Sequence, residues 1–353
     1  MFSISVCMIV KDEELTIERI LSCASQFADE IIIVDTGSKD RTIELTQKYT
    51  NNIFRFDWCD DFSKARNYSF SLANKDYILW LDADDVITED NINKIKLLKK
   101  SKDDIDIYMF KYVLFDKDKN TPLLEYYRER LIKRSLNLRW SGFVHETITP
   151  TGKIKYTDIE IEHRKMQSGN PKRNLRLYQK ALKSGIEFSP REIYYYAREL
   201  YYNGYYKKAI TKLKQFLKTP NKYPPNIIEA EILLSDIYRY YNDYNKAKSH
   251  LLNILLTHNA TSEVCCKLGE IFLLENNISN AIFWLNSATI CTTQKEGFVN
   301  HNYSNFIPYT NLSIAYYRLG KMDIAKDYYK KASQLQPDHP SILYNSQFFK
   351  WIY

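Results

Sequence analysis

The chain has 353 residues, 44% of them hydrophobic and 26% charged, a composition typical of a globular protein with two or three domains. A net charge of +7 is too small to indicate nucleic-acid binding, and no run of 18 apolar residues occurs, so we expect neither a nucleic-acid partner nor an integral membrane segment. Six scattered cysteines without a C-x-x-C pair predict reduced thiols and a cytoplasmic location.

The first hundred residues alternate short apolar runs with helical patterns. Strands are predicted at residues 2–10, 30–35, 52–57 and 77–81, with helices between them. The first run lacks a basic leader and a small-residue cleavage site, which favours a strand over a signal peptide. Alternation of this kind predicts a mostly parallel sheet covered by helices.

Three further runs, at residues 106–116, 125–134 and 153–163, read as strands without intervening helices. They predict an antiparallel addition that completes the sheet and shapes a cleft. A basic helix is predicted from residue 170 to about residue 182.

The last part of the chain is helical and repetitive. Four turn-plus-helix segments carry Ala209, Ala247, Ala281 and Ala325, at intervals of 38, 34 and 44 residues. They resemble tetratricopeptide repeats, with an insertion expected within residues 294–308 of the longest interval. Such repeats form a solenoid that binds an extended segment, and their exposed aromatic helices also suggest a homodimer. We therefore predict two domains, residues 1–185 and 186–353.

The stretch LDADD places Asp82, Asp84 and Asp85 directly after a predicted buried strand. Two carboxylates ~5 Å apart repel by about 3 kcal/mol at an effective dielectric constant near 20, so the group needs a basic side chain or a metal. Oxygen ligands suit Mg²⁺ or Mn²⁺. The alternative is a polar turn in which Asp84 or Asp85 caps a helix.

Two other segments carry polar residues at comparable places. VDTGSKDRT puts Asp35 at a strand end and Gly37 in a tight turn, although an ordinary capped turn has the same pattern. SKARNYSF puts Arg66 in a helix that could otherwise pack, and the alternative is a surface arginine paired with Asp60 or Asp61.

SVCMIVKDEE, IIIVDTGSKDRT and DFSKARNYSFSLANKDYILWLDADD, taken together, resemble the family 2 glycosyltransferases over roughly residues 3–100. The resemblance implies an α/β GT-A fold (Rossmann-like, mostly parallel) before the all-α repeats, a UDP-sugar donor, and Mn²⁺ or Mg²⁺. It places Asp35 on the base, Arg66 near the base or diphosphate, Asp82 on the ribose or the metal, and Asp84 on the metal. The other donor-binding residues it implies are Val10, Lys11, Glu13, Gly37 and Ala83. Here Asp12-Glu13 replaces the Asn-Glu pair common in the family.

LRWSGFVHETI supplies the second half of the predicted site. An inverting transfer needs a carboxylate that takes the acceptor's proton. Glu146 is the candidate base and His145 the second choice, and Trp140 could stack on a sugar ring. Alternatively, Glu146 pairs with Arg128 or Arg130, and Trp140 belongs to the core.

His163 ends a predicted strand, and the family resemblance makes it a third metal ligand, although a structural histidine is the alternative. Lys172, with Arg173 and Arg176, could meet the diphosphate, or simply form a solvated helix face. The whole arrangement resembles bacterial peptide S- and O-glycosyltransferases of the glycosylated-bacteriocin (sublancin) kind.

Three hypotheses follow for the function. The first is metal-dependent, inverting transfer of a glucose- or N-acetylglucosamine-type hexose from a UDP-sugar to Ser, Thr or Cys of a peptide or protein. The second is the same chemistry on a carbohydrate or lipid-linked acceptor in cell-surface polysaccharide synthesis. The third is a helical-repeat scaffold with an inactive transferase domain.

Overall fold

The computed structural model describes residues 1–115, 122–164, 170–220, 222–291 and 300–349. The chain divides into two units, Met1–Ile186 and Glu187–Tyr353. The insertion expected within residues 294–308 lies partly outside the described residues, since 292–299 are not among them.

The first unit is built on one sheet of eight strands among the described residues. The strands are β1 (Ile4–Val10), β2 (Glu30–Asp35), β3 (Ile53–Arg55), β4 (Tyr77–Trp80), β5 (Asp85–Val86), β6 (Ile107–Phe115), β7 (Pro122–Lys133) and β8 (Ile154–His163). Their order across the sheet is β3-β2-β1-β4-β7-β6-β8-β5, and the first four are mutually parallel. β1 and β4 are buried almost throughout, as expected for parallel strands covered on both faces.

Helices of the first unit cover this sheet. They are α1 (Ile17–Ala24), α2 (Thr42–Thr46), α3 (Phe62–Ser71), α4 (Glu89–Leu98) and α5 (Arg173–Lys183). α1 buries Ile17, Ile20, Leu21 and Ala24, which share one helical face, in the core on one side of the sheet. Phe70 of α3 joins a separate core that also contains Trp80 and Trp140. The predicted mostly parallel α/β architecture is confirmed.

The later strands differ in one respect from the predicted antiparallel addition. β7 is antiparallel to both β4 and β6, but β8 is parallel to β6. Because β4 and β6 occupy both edges of β7, the chain after β7 pairs with the far edge of β6. β5 then pairs antiparallel with β8, with Asp85 opposite His163.

The second unit is entirely helical in its described residues. Its α-helices are α6 (Pro190–Tyr202), α7 (Tyr206–Lys218), α8 (Pro224–Tyr240), α9 (Tyr244–Thr257), α10 (Ser262–Leu274), α11 (Ile278–Ile290), α12 (Phe306–Arg318), α13 (Met322–Leu335) and α14 (Pro340–Phe349). Ala209, Ala247, Ala281 and Ala325 are each 0% exposed, so each lies where helices of the repeats touch. The predicted helical-repeat architecture is confirmed. In the part of the chain that the structure describes, no helix combines the length and the apolar character needed to cross a bilayer.

Candidate active site

A cleft of about 590 Å³ lies at the carboxyl ends of β1 and β4, the edge where open α/β sheets bind ligands. It brings together ten of the residues singled out in the sequence. They are Val10, Lys11, Glu13, Arg66, Asp82, Ala83, Asp84, His145, Glu146 and His163. Four other predicted site residues, Asp35, Gly37, Trp140 and Lys172, do not line this cleft.

Arg66 is the central cation of the cleft. Its Nε donates to Oε1 of Glu146 over 2.7 Å, and its Nη2 donates to Oδ1 of Asp82 over 2.8 Å. Burial by itself lowers the pKa of Arg66, but the two carboxylates outweigh it and raise that pKa. For Asp82, burial by itself raises the pKa, but the positive charges of Arg66 and Arg130 outweigh it and leave that pKa lowered. Glu146 therefore forms its ion pair with Arg66 rather than with Arg128 or Arg130, the partners that the sequence offered as alternatives.

The loop that carries Glu146 is closed on itself. Ser141 and Thr147 exchange two backbone hydrogen bonds, of 2.9 and 3.0 Å. The turn between them includes Gly142 at φ 90° and His145 at φ 52°, a left-handed conformation that is uncommon for histidine. This short closed turn aims His145 and Glu146 into the cleft.

Asn67, which follows Arg66 in the SKARNYSF segment, holds the backbone of Trp140. Its side chain donates to the carbonyl of Trp140 and accepts from the Trp140 amide, both over 2.9 Å. The Trp140 indole is 3% exposed and lies 4.9 Å from the Arg66 guanidinium carbon, behind it as seen from the cleft lining. Trp140 is therefore a core residue that supports Arg66, and the expected stacking on a sugar ring is not available to it.

A buried ion pair that the sequence reasoning missed holds the LDADD turn. Asp85 and Arg130 are both 0% exposed, and Nη1 of Arg130 lies 3.1 Å from Oδ2 of Asp85. Asp85 also accepts from the Asp82 amide and from the Tyr112 hydroxyl, each over 2.9 Å. The available signal was the alternation of Arg128 and Arg130 in a predicted strand, which puts both on one face.

Asp84 and His163 meet because β5 pairs with β8. Nδ1 of His163 lies 3.3 Å from Oδ1 of Asp84 and 2.9 Å from the Tyr112 hydroxyl. Burial alone lowers the pKa of His163, but the nearby carboxylates of Asp84 and Asp85 raise it to about 10.

The same place offers ligand atoms for a metal. One atom each from Asp84, Asp85 and His163 lies within 4.8 Å of the others, so this Asp–Asp–His group could hold a divalent ion. The Asp85 carboxylate already accepts hydrogen bonds from Arg130 and Tyr112, whereas Asp84 and His163 line the cleft. The expected ligand Asp82 is not a member of this group, because its carboxylate meets Arg66 instead.

The loops after β1 and β2 hold each other. The Asp12 amide donates to Oγ of Ser38 over 3.1 Å, and the Glu13 amide donates to Oγ1 of Thr42 over 2.7 Å. Asp35 accepts from the Ser38 amide over 3.0 Å and lies opposite Val10 in the sheet register. Asp35 thus shapes the turn beside the cleft, and Thr36, the next residue, lines it.

The rim of the cleft contains one residue of the predicted basic cluster, Arg173, and two aromatic residues that the sequence reasoning did not assign. Lys172 is exposed and outside the cleft lining, and its neighbour Arg173 lines the cleft instead. Trp58 and Phe62 also line it, with ring centroids 4.7 Å apart, and the Arg173 guanidinium lies 5.0 Å from the Phe62 ring.

Comparison with known families agrees with this geometry. Residues 5–154 match the model described as glycosyl transferase family 2. This match covers most of the first unit. Residues 308–339 match the tetratricopeptide repeat model, so the helical second unit contains repeats of that kind.

Three relatives illustrate the similarity. The SPbeta prophage-derived glycosyltransferase SunS of Bacillus subtilis is 23% identical over 69% of this chain and 60% of its own. A TPR repeat-containing protein of Synechococcus elongatus is 44% identical over 24% of this chain and 21% of its own. An uncharacterized glycosyltransferase of Haemophilus influenzae is 33% identical over 26% of this chain and 40% of its own. The chain thus spans between 21% and 60% of the length of these relatives.

Proposed function

We propose that this chain is a metal-dependent, inverting glycosyltransferase. It transfers a glucose- or N-acetylglucosamine-type hexose from a UDP-sugar to a Ser, Thr or Cys side chain of a peptide or protein. The observation that carries the proposal is that one guanidinium, of Arg66, joins Glu146 to Asp82 in the cleft that also contains Asp84 and His163. The family 2 domain and the similarity to the glycosyltransferase SunS support it.

The donor side of the proposed site is the edge formed by the ends of β1 and β4. Val10, Lys11, Glu13 and Ala83 border the nucleotide there, next to the turn shaped by Asp35. Asp84 and His163 are the residues that would hold Mn²⁺ or Mg²⁺, since carboxylate and imidazole atoms are suitable donors. When bound, such an ion neutralises negative charge on the leaving diphosphate.

The acceptor side is the loop that carries Glu146. As the acceptor's oxygen or sulfur forms its bond to the anomeric carbon, its proton moves to the Glu146 carboxylate. The bond between that carbon and the diphosphate oxygen breaks, and its electron pair leaves with UDP. Arg66 orients the carboxylate for this step through the 2.7 Å hydrogen bond at Nε. Attack on the face opposite the leaving group inverts the anomeric configuration.

The repeats of the second unit suit a role in binding the peptide acceptor or a second copy of the chain, since tetratricopeptide repeats commonly bind extended segments. Size-exclusion chromatography with mass detection measures the second possibility directly. A monomer mass at micromolar concentration would remove the homodimer from the proposal.

The test of the proposed function is a donor screen with the purified full chain. Release of nucleoside diphosphate is measured for a panel of nucleotide sugars with Mn²⁺ or Mg²⁺, with and without EDTA, and with a peptide array as acceptor. We expect EDTA-sensitive release from one UDP-hexose and a mass increase of one hexose on a peptide. Transfer to a saccharide or lipid-linked acceptor, with none to any peptide, would show that the acceptor is not a polypeptide. Absence of binding to every donor would overturn the proposal.

A further inference from the structure

Positive charge is concentrated in one segment of the second unit. Residues 200–228 contain six lysines and no Asp, Glu or Arg, in a chain whose net charge is +7. Most of these lysines belong to α7, and their side chains therefore project from one helix. This local excess has no counterpart in the function proposed above.

Four of the five lysines of α7 are exposed, and Lys212 is half-buried. The helix buries Ala209, Leu213 and Phe216, which recur at intervals of four and three. Lys207, Lys214 and Lys218 form a row on the opposite face, whereas Lys208 and Lys212 lie further round the helix, nearer to its buried side. No ion pair among the described residues involves any of these five lysines.

Exposed tyrosines cluster beside the start of α7. Tyr202 is 62% and Tyr240 is 65% exposed, with Tyr205 and Tyr241 also exposed. Nζ of Lys208 lies 5.9 Å from the Tyr205 ring centroid. Tyr206, at the start of α7, lies 4.8 Å from Tyr240 and 6.4 Å from Tyr241, between ring centroids, so the aromatic cluster is contiguous with the helix. We call the five lysines and these four exposed tyrosines the lysine–tyrosine surface.

We propose that the lysine–tyrosine surface binds the face of an anionic lipid bilayer. Lysines that form no ion pair are complementary to lipid phosphates, and each contributes roughly a fivefold increase in affinity near an anionic surface. Two of the five already donate hydrogen bonds to neutral groups, Lys212 to Gln215 and Lys214 to the Tyr238 hydroxyl. Tyrosine combines an apolar ring with a polar tip, the combination that suits the headgroup layer. The surface itself contains no arginine and so lacks the bidentate forks typical of nucleic-acid recognition. The nearby Arg198, 5.6 Å from the Tyr202 ring centroid, is paired with Glu229.

The test uses the full chain and sedimentation with vesicles. Vesicles of phosphatidylcholine with roughly 30% phosphatidylglycerol, whose anionic headgroups give a negative surface potential, are compared with pure phosphatidylcholine vesicles. We expect binding only to the anionic vesicles, with affinity falling as salt is raised. Replacing Lys207, Lys208 and Lys218 with Gln keeps good helix formers and should lower affinity on the order of 100-fold.

Matched control variants distinguish an effect of this surface from an effect of the protein's net charge. The triple replacement of Lys321, Lys326 and Lys330 by Gln removes the same charge from α13 and its N-cap, where Asp323 and Asp327 are interspersed, and should change affinity less than about threefold. Tyr240→Ser should weaken binding but leave its salt dependence unchanged. Unchanged circular dichroism shows that each variant is folded.

Three results would overturn the proposal. They are equal binding to neutral vesicles, equal losses from the α7 and α13 variants, and tighter salt-sensitive binding to single-stranded RNA or an acidic peptide than to anionic vesicles. Each is read without any transferase assay, so the outcome does not depend on the proposed function.

Discussion

Arg66 and Glu146 are 80 residues apart in the chain and are joined by a 2.7 Å hydrogen bond from Nε to Oε1. The contact ties α3 to the closed turn at residues 141–147. It also sets the distance between the acidic residue on the acceptor side and Asp82, which Nη2 of the same guanidinium holds. A rigid planar group with two fixed donor directions is suited to holding two carboxylates in one relative orientation.

Replacing Glu146 with Gln tests the base directly. The amide keeps the shape and can still contact Arg66, but it cannot accept the acceptor's proton, so kcat should fall roughly 100- to 10,000-fold. Donor affinity, measured by calorimetry with the UDP-sugar, should change less than about threefold. Glu44→Gln, at an exposed glutamate paired with Arg41, is the control and should keep full activity. A Glu146→Gln enzyme with more than half of the parent kcat would exclude Glu146 as the base.

Replacing Asp84 with Asn tests the metal site without relying on turnover. Loss of a charged oxygen ligand should weaken Mn²⁺ binding about 10- to 100-fold, as measured by electron paramagnetic resonance of free Mn²⁺. His163→Ala should have an effect of similar size. Asp90→Asn, on an exposed carboxylate of α4 paired with Lys94, is the matched control. Equal Mn²⁺ affinity in all four proteins would place the ion elsewhere.

Asp85→Asn should destabilise the first unit strongly, because it leaves the fully buried Arg130 charge without its partner. Breaking a buried pair in this way costs about 3–5 kcal/mol. Urea unfolding followed by tryptophan fluorescence measures the change. The double variant with Asp85→Asn and Arg130→Met removes the unpaired charge and should recover part of the loss. If the double variant is no more stable than the single one, the pair is not the source of the effect.

Trp140→Phe separates a core tryptophan from a sugar-binding one. The Trp140 ring is buried, so the smaller Phe ring leaves a cavity and we expect a stability loss of about 1–3 kcal/mol with unchanged donor affinity. No hydrogen bond is lost, because Nε1 of Trp140 has no partner among the described residues. Trp58→Phe is the comparison, since Trp58 lines the cleft. That variant should change donor or acceptor binding more than stability. If Trp140→Phe instead weakened donor binding without lowering stability, Trp140 would belong to the binding site.

Glu30 makes stability depend on pH at the start of β2. Burial raises its pKa, but hydrogen bonds from Ser5 and Asn74 outweigh this and leave the pKa lowered. A lowered pKa contributes stability that is present above the ordinary value of 4.5 and is lost as the pH falls through the folded-state pKa. Glu30→Gln should therefore be about 1 kcal/mol less stable than the parent at pH 7 and approach it in acid. A stability difference that stays constant between neutral and acidic pH would contradict this.

Much of the fold could be predicted because its signals are local. Apolar runs separated by helical patterns located the parallel strands, and four alanines recurring after turns located the helix contacts of the repeats. The meeting of Val10 and Asp82 at one cleft was predictable for the same reason, since Val10 ends β1 and Asp82 follows β4, and the carboxyl ends of these parallel strands share one edge of the sheet.

The sequence did not predict how the later strands pair or which charged side chains meet. The parallel pairing of β8 with β6, and through β5 the meeting of His163 with Asp84, depend on which sheet edges remain free after β7 is placed. The partner of Arg66 was undecidable for a related reason, since several acids compete for it and only packing selects Glu146 and Asp82.

By itself, the sequence determined the element types, their order and the kinds of side chain at each strand end, because backbone propensity and hydrophobic periodicity act over a few residues. Only the tertiary structure decided that Asp85 is buried on Arg130, that Trp140 lies behind Arg66, and that Arg173 rather than Lys172 borders the cleft. These outcomes depend on contacts between distant segments, whose energies a linear pattern does not contain.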